Sequence, residues 1–155
     1  MGIFSWGEVE ILDKSGQLLF SGRNRITKSG LLAIGKVISQ DGTIISKLRV
    51  GTGTTPPTVE DTNLEAPIEI DFPIINKTLV QSQDGNNIEV RFTSMVESQD
   101  ENLSFYFSEA GLFASFTGND GTTSNILVAR IVFPPKYKRP FNEYYLTWKI
   151  KLSLG

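Results

Sequence analysis

Polar and apolar residues alternate along most of this chain, with the two-residue period of strands that bury one face. Turn dipeptides such as Asp84-Gly85 separate neighbouring stretches. The pattern predicts strands at residues 8–11, 17–20, 47–50, 68–72, 88–96, 103–107, 126–133 and 144–152. The stretch at 126–133 is apolar on both faces apart from Arg130, which predicts a central strand that is buried on both sides.

One stretch has helical spacing instead. Leu31, Ile34 and Ile38 fall near one helical face, and Thr27 or Ser29 could cap the helix at its N-terminus. Many short strands with regular turns and a single helix predict a mainly β fold. We expect an antiparallel β-sandwich or open barrel with one short helix.

The chain has 155 residues, which is enough for one hydrophobic core, and no repeat or linker divides it. We therefore expect residues 1–155 to form a single β-rich module. Ile3, Phe4 and Trp6 are apolar at a terminus, where most domains are polar and frayed. Residues 1–7 are expected to form an N-terminal arm that packs on a neighbouring chain.

Composition excludes several classes of function. The net charge of −2 does not favour nucleic-acid binding, which needs a basic face. No apolar run approaches the roughly 18 residues of a membrane span, so no membrane partner is expected. The sequence contains neither histidine nor cysteine, so it lacks the commonest general base, the thiolate nucleophile and the usual zinc ligands. We expect no enzymatic activity, no metal and no cofactor.

Two local patterns suggest chemistry that the surrounding residues do not support. Gly51-Thr52-Gly53 resembles the start of a phosphate loop, but Pro56 and Pro57 prevent the helix that would follow. It is therefore expected to be a structural loop. The acidic stretch at residues 60–71 could bind calcium or supply a glycosidase pair, but its spacing specifies neither site.

A carboxylate stands among apolar residues at Glu109. An unpaired buried carboxylate is too costly to keep, so Glu109 is expected to accept hydrogen bonds from backbone groups or from an arginine. Arg130, on the next apolar strand, is its natural partner. We predict a structural ion pair between Glu109 and Arg130.

Basic and aromatic residues share a proline-rich stretch between the last two predicted strands, at residues 134–141. A stiff loop of this composition is suited to contact a partner, because it loses little entropy on docking. Together with the N-terminal arm it gives the predicted interface. The predicted interface residues are Phe4, Trp6, Tyr137, Arg139 and Phe141.

The order of several motifs resembles that of phage virion proteins. The motifs are NRITKSGL at residues 24–31, VGTGTTPPT at 50–58, DTNLE at 61–65, SEAGLF at 108–113 and LVARIVFPP at 127–135. In this order they resemble the N-terminal domains of phage tail-collar and tail-fibre proteins, and related small virion proteins. The resemblance spans most of the chain.

The resemblance implies a non-enzymatic structural protein of a tailed-phage virion, assembled in the host cytoplasm. Fibre proteins continue into a shaft and a tip, whereas this sequence ends at Gly155. We therefore expect a capsid decoration (cement) protein that stabilises the shell; the alternative is a tail-fibre, neck or baseplate adaptor module. The expected partners are its own copies, most simply as a homotrimer, and the major capsid protein or tail proteins.

Two other classes of function stay open at this point. A carbohydrate-binding β-sandwich would use exposed aromatic side chains, for which Trp6, Tyr106 and Tyr137 are the candidates. An enzyme would have to work with carboxylates, lysine or tyrosine alone.

Overall fold

The computed structural model describes residues 3–39, 41–97, 104–140 and 142–154, with side chains from residue 6 onward. The described residues form eight strands and one helix. In chain order these are β1 (Ile3–Asp13), β2 (Leu18–Ile26), α1 (Lys28–Ser39), β3 (Ile44–Gly51), β4 (Phe72–Gln81), β5 (Asn87–Val96), β6 (Phe105–Thr117), β7 (Thr123–Lys138) and β8 (Tyr144–Leu154). The predicted mainly β fold with one short helix is confirmed.

The strands form a closed antiparallel barrel in the order β1-β2-β7-β6-β3-β4-β5-β8. Two of its junctions are only two residue pairs long. They join residues 25–26 of β2 to 129–130 of β7, and residues 47–48 of β3 to 72–73 of β4. The barrel therefore consists of a large sheet (β2-β1-β8-β5-β4) and a small sheet (β7-β6-β3), linked by two thin seams. It is closed, not open, and it keeps the two-layer character of a sandwich.

The core lies between the two sheets and follows the alternation in the sequence. Trp148 and Leu146 of β8 are fully buried, as are Val9 of β1 and Phe107 of β6. The Phe107 ring meets the Phe133 ring edge-on, with centroids 5.7 Å apart. Aromatic pairs in this geometry contribute about 0.5–1.5 kcal/mol beyond the area that they bury.

The small sheet is buried on both faces in its centre. Residues 107–114 of β6 and 127–131 of β7 are buried, which confirms the doubly buried strand predicted at 126–133. The inner face packs in the core. Over the outer face lies the loop between β3 and β4, whose Leu64 packs with Phe113 and Leu127.

The helix begins where it was predicted, but it packs on a different face. The Thr27 hydroxyl oxygen accepts a hydrogen bond from the Gly30 N–H at 2.9 Å, which makes Thr27 the N-cap. Gly30 and Ala33 are the buried residues of α1, whereas Leu31 and Ile38 are exposed. Of the predicted apolar face only Ile34 packs against the core, so the prediction is wrong for Leu31 and Ile38; Gly30 and Ala33 let the helix lie close against β7. No helix among the described residues is long and apolar enough to cross a membrane.

Residues 3–7 do not form an arm. They belong to β1, which pairs with β8 along its whole length, from Ile3 opposite Leu154 to Asp13 opposite Tyr144. The apolar residues at this terminus are part of a strand that closes the barrel. The prediction of a separate N-terminal arm is therefore wrong.

Two proline-containing segments also differ from the prediction. Residues 68–71 are irregular and do not form the predicted strand. The strand β4 begins at Phe72 instead, and it continues past Pro73. Likewise, β7 continues through Pro134 and Pro135 to Lys138, so most of the predicted 134–141 loop is strand. Pro134 and Pro135 lie between the pairs Phe107–Lys136 and Glu109–Val132, where the register between β6 and β7 shifts, and Pro73 lies in the two-pair seam between β3 and β4. At such irregular positions a strand tolerates the missing N–H of proline.

Candidate functional site

A buried carboxylate organises the outer face of the small sheet. Glu109 is fully buried, and its two oxygens accept four hydrogen bonds. Three come from the backbone N–H groups of Gly53 at 3.0 Å, Glu65 at 3.1 Å and Ala66 at 2.8 Å. The fourth comes from Nε of Arg130 at 2.8 Å. Glu109 thus holds both ends of the β3–β4 loop, and we call Glu109, Arg130 and the loop residues that they bind the Glu109 clamp.

Arg130 completes the clamp from the neighbouring strand. Its Nη1 donates to Oδ2 of Asp61 at 3.1 Å, and its Nη2 lies 3.6 Å from Oε2 of Glu65. The predicted contact between Glu109 and Arg130 is present, and two further carboxylates share the guanidinium. The single positive charge of Arg130 is therefore shared by three carboxylates. No cluster of metal-ligating side chains was found among the described residues.

The Gly-x-Gly pattern is explained by its contact with Glu109. A Cβ atom on Gly51 would lie 2.4 Å from Oε1 of Glu109, and one on Gly53 would lie 2.7 Å from its Cδ. Both distances are far below van der Waals contact, so any larger residue would push the loop off the carboxylate. The two glycines allow the loop to close on Glu109, which agrees with the interpretation of this segment as a structural loop.

Hydrogen bonds within the loop stabilise the ionised carboxylates of the clamp. Burial alone would raise the pKa of Asp61, but hydrogen bonds from the Thr58 N–H and hydroxyl, together with the Arg130 guanidinium, hold this pKa below its ordinary value. The pKa of Glu65 is also lowered, first of all by its hydrogen bond with Thr55. Both groups favour the folded state in their charged form.

Acid is therefore expected to weaken the fold through the clamp. A carboxyl whose pKa is lower in the folded state adds stability above its unfolded pKa, about 3.9 for aspartate, and loses it as the pH falls through the folded value. We expect Asp61→Asn to be less stable than the wild type at pH 7, and to lose less stability between pH 5 and pH 2. Urea unfolding at a series of pH values measures this. Parallel stability curves for the two proteins would show that Asp61 does not contribute.

The predicted interface residues do not come together on one surface. Trp6 lies on the outer face of the large sheet opposite Lys151, whereas the Tyr137 carbonyl accepts a hydrogen bond from the Tyr144 hydroxyl at 2.9 Å. Lys151 and Tyr144 are seven residues apart on β8, which is about 23 Å along a strand. The two predicted contact segments are thus at opposite ends of β8. Phe141 and the side chain of Phe4 lie outside the description.

Tyr137 is part of a small aromatic stack at its end of the barrel. Its ring stacks on that of Tyr106, with centroids 4.5 Å apart, and the Arg139 guanidinium lies 5.3 Å from the Tyr137 centroid. The next residue, Lys138, is buried, and burial lowers its pKa. Lys138 is therefore not available for a partner. Tyr106 is 61% exposed, whereas Tyr137 is half-buried.

A groove lies at the Trp6 end of the barrel. Beyond the pair Gly7 and Asn24, β2 leaves β1 to join β7, and a groove of about 740 Å³ opens between them. Trp6, Arg25 and Leu31 are among the residues that line it. Arg23 and Arg25 are exposed on one side of the groove, and neither belongs to an ion pair in the described part of the chain.

Leu31 of α1 lines this groove, and further large apolar side chains of the helix are exposed to solvent. Leu31, Leu32 and Ile38 are 64%, 61% and 75% exposed, an unusual concentration of large apolar side chains in water. Together with Trp6 and Val59 they form what we call the docking face. The sequence contained a signal for this arrangement: Gly30 and Ala33 mark the packed side of the helix, so the leucines had to face outward.

Comparisons with models of protein families, with curated proteins and with solved structures found no match to this chain.

Proposed function

We propose that this protein is a non-enzymatic structural component of a tailed-phage virion, which acts by docking to its own copies and to capsid or tail proteins. The observation that carries the docking role is the apolar solvent-facing side of α1, of which Leu31 also lines the Trp6 groove. The order of the sequence motifs, which resembles that of phage virion proteins, supports the proposal that the protein is a virion component. Within the virion we favour capsid decoration over a tail-fibre, neck or baseplate adaptor, since decoration needs many copies of a small module that bind a lattice.

The chemistry of the buried polar centre supports a structural role. A carboxylate offers about four positions for hydrogen bonds, and Glu109 has four donors in place. Its charge is balanced by Arg130 at 2.8 Å. A general base needs an oxygen that is free to take a proton, and Glu109 is instead fully engaged in holding the loop.

The composition of the docking face resembles that of a protein interface. Interfaces combine an apolar and aromatic centre with arginine and a polar rim. Here Leu31, Leu32 and Trp6 supply the apolar centre, and Arg23 and Arg25 supply the charged rim. This combination fits a partner surface that has apolar residues in its centre and carboxylates around them.

A decoration protein stabilises the lattice that it binds, since ligand binding to the assembled state favours that state by mass action. We expect Leu32→Ser/Ile38→Ser to reduce binding to purified particles at least tenfold without changing the melting temperature of the isolated protein by more than a few degrees. Co-sedimentation with particles measures binding, and heating the decorated particles measures the stabilisation.

A matched control is Leu18→Ser/Leu19→Ser, which removes two exposed leucines from β2, away from α1. This variant should bind particles as the wild type does. Equal binding by both double variants would show that α1 is not the docking face. If labelled protein is found only on tails, the decoration role is excluded and the adaptor role remains.

A further inference from the structure

The two seams of the barrel leave two sheet edges, and only one of them is covered by the helix. Beside the first seam, α1 lies along the edge of β7. Thr27 and Ser29 donate hydroxyl hydrogen bonds to the Leu127 carbonyl at 2.7 and 2.9 Å, and the Thr27 N–H donates to the Val128 carbonyl at 3.1 Å. Covering an edge in this way prevents unwanted strand pairing.

Beyond the second seam, β4 leaves β3 and runs as the outermost strand of the large sheet. Every residue from Ile75 to Gln81 is exposed, and β5 is the only strand that pairs with this part of β4 among the described residues. An edge strand with unpaired backbone groups is a template for another strand. Pro73 and the bulge after Ile74 protect its beginning, so the unprotected part is residues 77–81.

The hydrogen bonds to β5 show which backbone groups of β4 point outward. The Ser82 N–H donates to the Asn87 carbonyl at 2.9 Å, so Ser82 faces β5. Because successive residues of an antiparallel strand point to alternate sides, Val80 and Thr78 also face β5. Lys77, Leu79 and Gln81 therefore direct their N–H and C=O groups toward the free edge.

The same end of the large sheet extends past the small sheet and leaves apolar side chains uncovered. Leu79 and Leu154 are 65% and 45% exposed, and Ile88 and Leu152 between them are half-buried. All four lie on the face that forms the core farther along the sheet, as the pairing of Ile88 with Leu152 shows. We call these four residues the apolar ledge.

We propose that β4 pairs in antiparallel fashion with β4 of a second copy of this chain, about a two-fold axis at Leu79. In this register each Leu79 lies opposite its own copy, and each Lys77 lies opposite Gln81 of the other copy. The outward groups of Lys77, Leu79 and Gln81 then form about six backbone hydrogen bonds. The large sheets of the two copies become one continuous sheet.

The sequence of the edge favours its own copy as the partner. A self-complementary surface suits a two-fold contact, in which the same patch serves on both subunits. Lys77 is the only charged residue of β4, and the register places it beside an amide instead of a second lysine. On the opposite face Val80 lies beside Thr78, a β-branched pair that favours strand pairing. The pairing also sets the two apolar ledges side by side on the same face.

Cysteine cross-linking tests the proposal directly, because the chain has no cysteine of its own. Residues directly opposite each other in a hydrogen-bonded antiparallel pair have Cα atoms about 5.5 Å apart, within the range of a disulfide. We expect Leu79→Cys to form a disulfide-linked dimer rapidly on mild oxidation. The matched control Leu18→Cys, which is also exposed on an outer part of the large sheet, should link at least tenfold more slowly.

The register has its own test. Lys77→Cys and Gln81→Cys should each link poorly alone but efficiently when mixed. Equal linking rates at positions 79 and 18, or a wild-type protein that stays monomeric at millimolar concentration in sedimentation experiments, would overturn the proposal.

A charge on the edge supplies an independent measurement. Leu79→Lys sets two lysines against each other at the axis, so we expect the variant to sediment as a monomer where the wild type sediments as a dimer. Persistence of the dimer in this variant, or the mass of a trimer for the wild type, would rule out pairing through β4. The proposal does not depend on the virion function, and neither result bears on particle binding through α1.

Discussion

Glu109→Ala is expected to lower the free energy of unfolding by about 3–5 kcal/mol, the usual cost of breaking a buried ion pair by removing one partner. The substitution leaves Arg130 buried without its closest counter-charge. It also leaves the N–H groups of Gly53, Glu65 and Ala66 without their acceptor. In a domain of this size such a loss lowers the melting temperature by roughly 6–20 °C. Thermal and urea unfolding measure it.

The control for this prediction is Glu60→Ala. Glu60 lies in the same loop and forms an ion pair with Lys28, but both side chains are 69% exposed. Exposed pairs contribute at most about 1 kcal/mol, so this variant should unfold nearly as the wild type does. If Glu109→Ala and Glu60→Ala unfold alike, the β3–β4 loop does not depend on the buried carboxylate.

The second large effect is a difference in the free energy of unfolding between two glycine-to-alanine substitutions in α1, at Gly30 and at Gly35. A Cβ atom on Gly30 would lie 1.9 Å from the Val128 carbonyl oxygen, a backbone atom that cannot move aside, so Gly30→Ala must push α1 away from β7. Overpacking of this kind costs typically about 1–3 kcal/mol. A Cβ atom on Gly35 meets nothing within 4 Å, so Gly35→Ala should stabilise by up to about 1 kcal/mol through helix propensity.

Urea unfolding of both glycine variants tests the opposite signs under one set of conditions. The comparison cancels the intrinsic preference of alanine for helix, because the same residue enters the same helix in both variants. Stabilisation in both would mean that α1 does not pack closely on β7. Destabilisation in both variants would mean that the space around Gly35 is occupied, contrary to the open surroundings described above.

The structural predictions from the sequence were correct where a single physical rule applied to the residues concerned. Alternation identified the buried face of β8 correctly, because Leu146, Trp148 and Ile150 all lie on one side of the strand and pack in the core. The cost of burying a charge identified Glu109 and its partner Arg130. The roles of Asp61 and Glu65 were not predictable in this way. Their carboxylates reach the clamp only because the long β3–β4 loop folds back over the small sheet. No local sequence pattern predicts this path of the loop.

The errors arose where two rules compete. Apolar residues at helical spacing usually mark the packed side, but of Leu31, Ile34 and Ile38 only Ile34 packs against the core. The buried residues of α1 are Gly30 and Ala33, and β7 approaches Gly30 too closely for a larger residue. The strand predicted at residues 68–72 stops before Pro73, whereas β4 begins at Phe72 and continues through this proline, which lies in the two-pair seam to β3. The apolar N-terminus was interpreted as an arm because its partner, β8, lies at the other end of the sequence.

The pairing of β1 with β8 determines the order in which this barrel can fold. Ile3 and Leu154 are neighbours in the sheet, although nearly the entire chain separates them. The β1–β2 hairpin can form within about 1–10 μs, as local hairpins do. Closing β1 onto β8 requires the entropy of a loop of some 150 residues, which slows folding to the millisecond-to-second range of proteins dominated by non-local contacts. Until that step the edge of β1 that faces β8 in the native barrel has no strand to pair with.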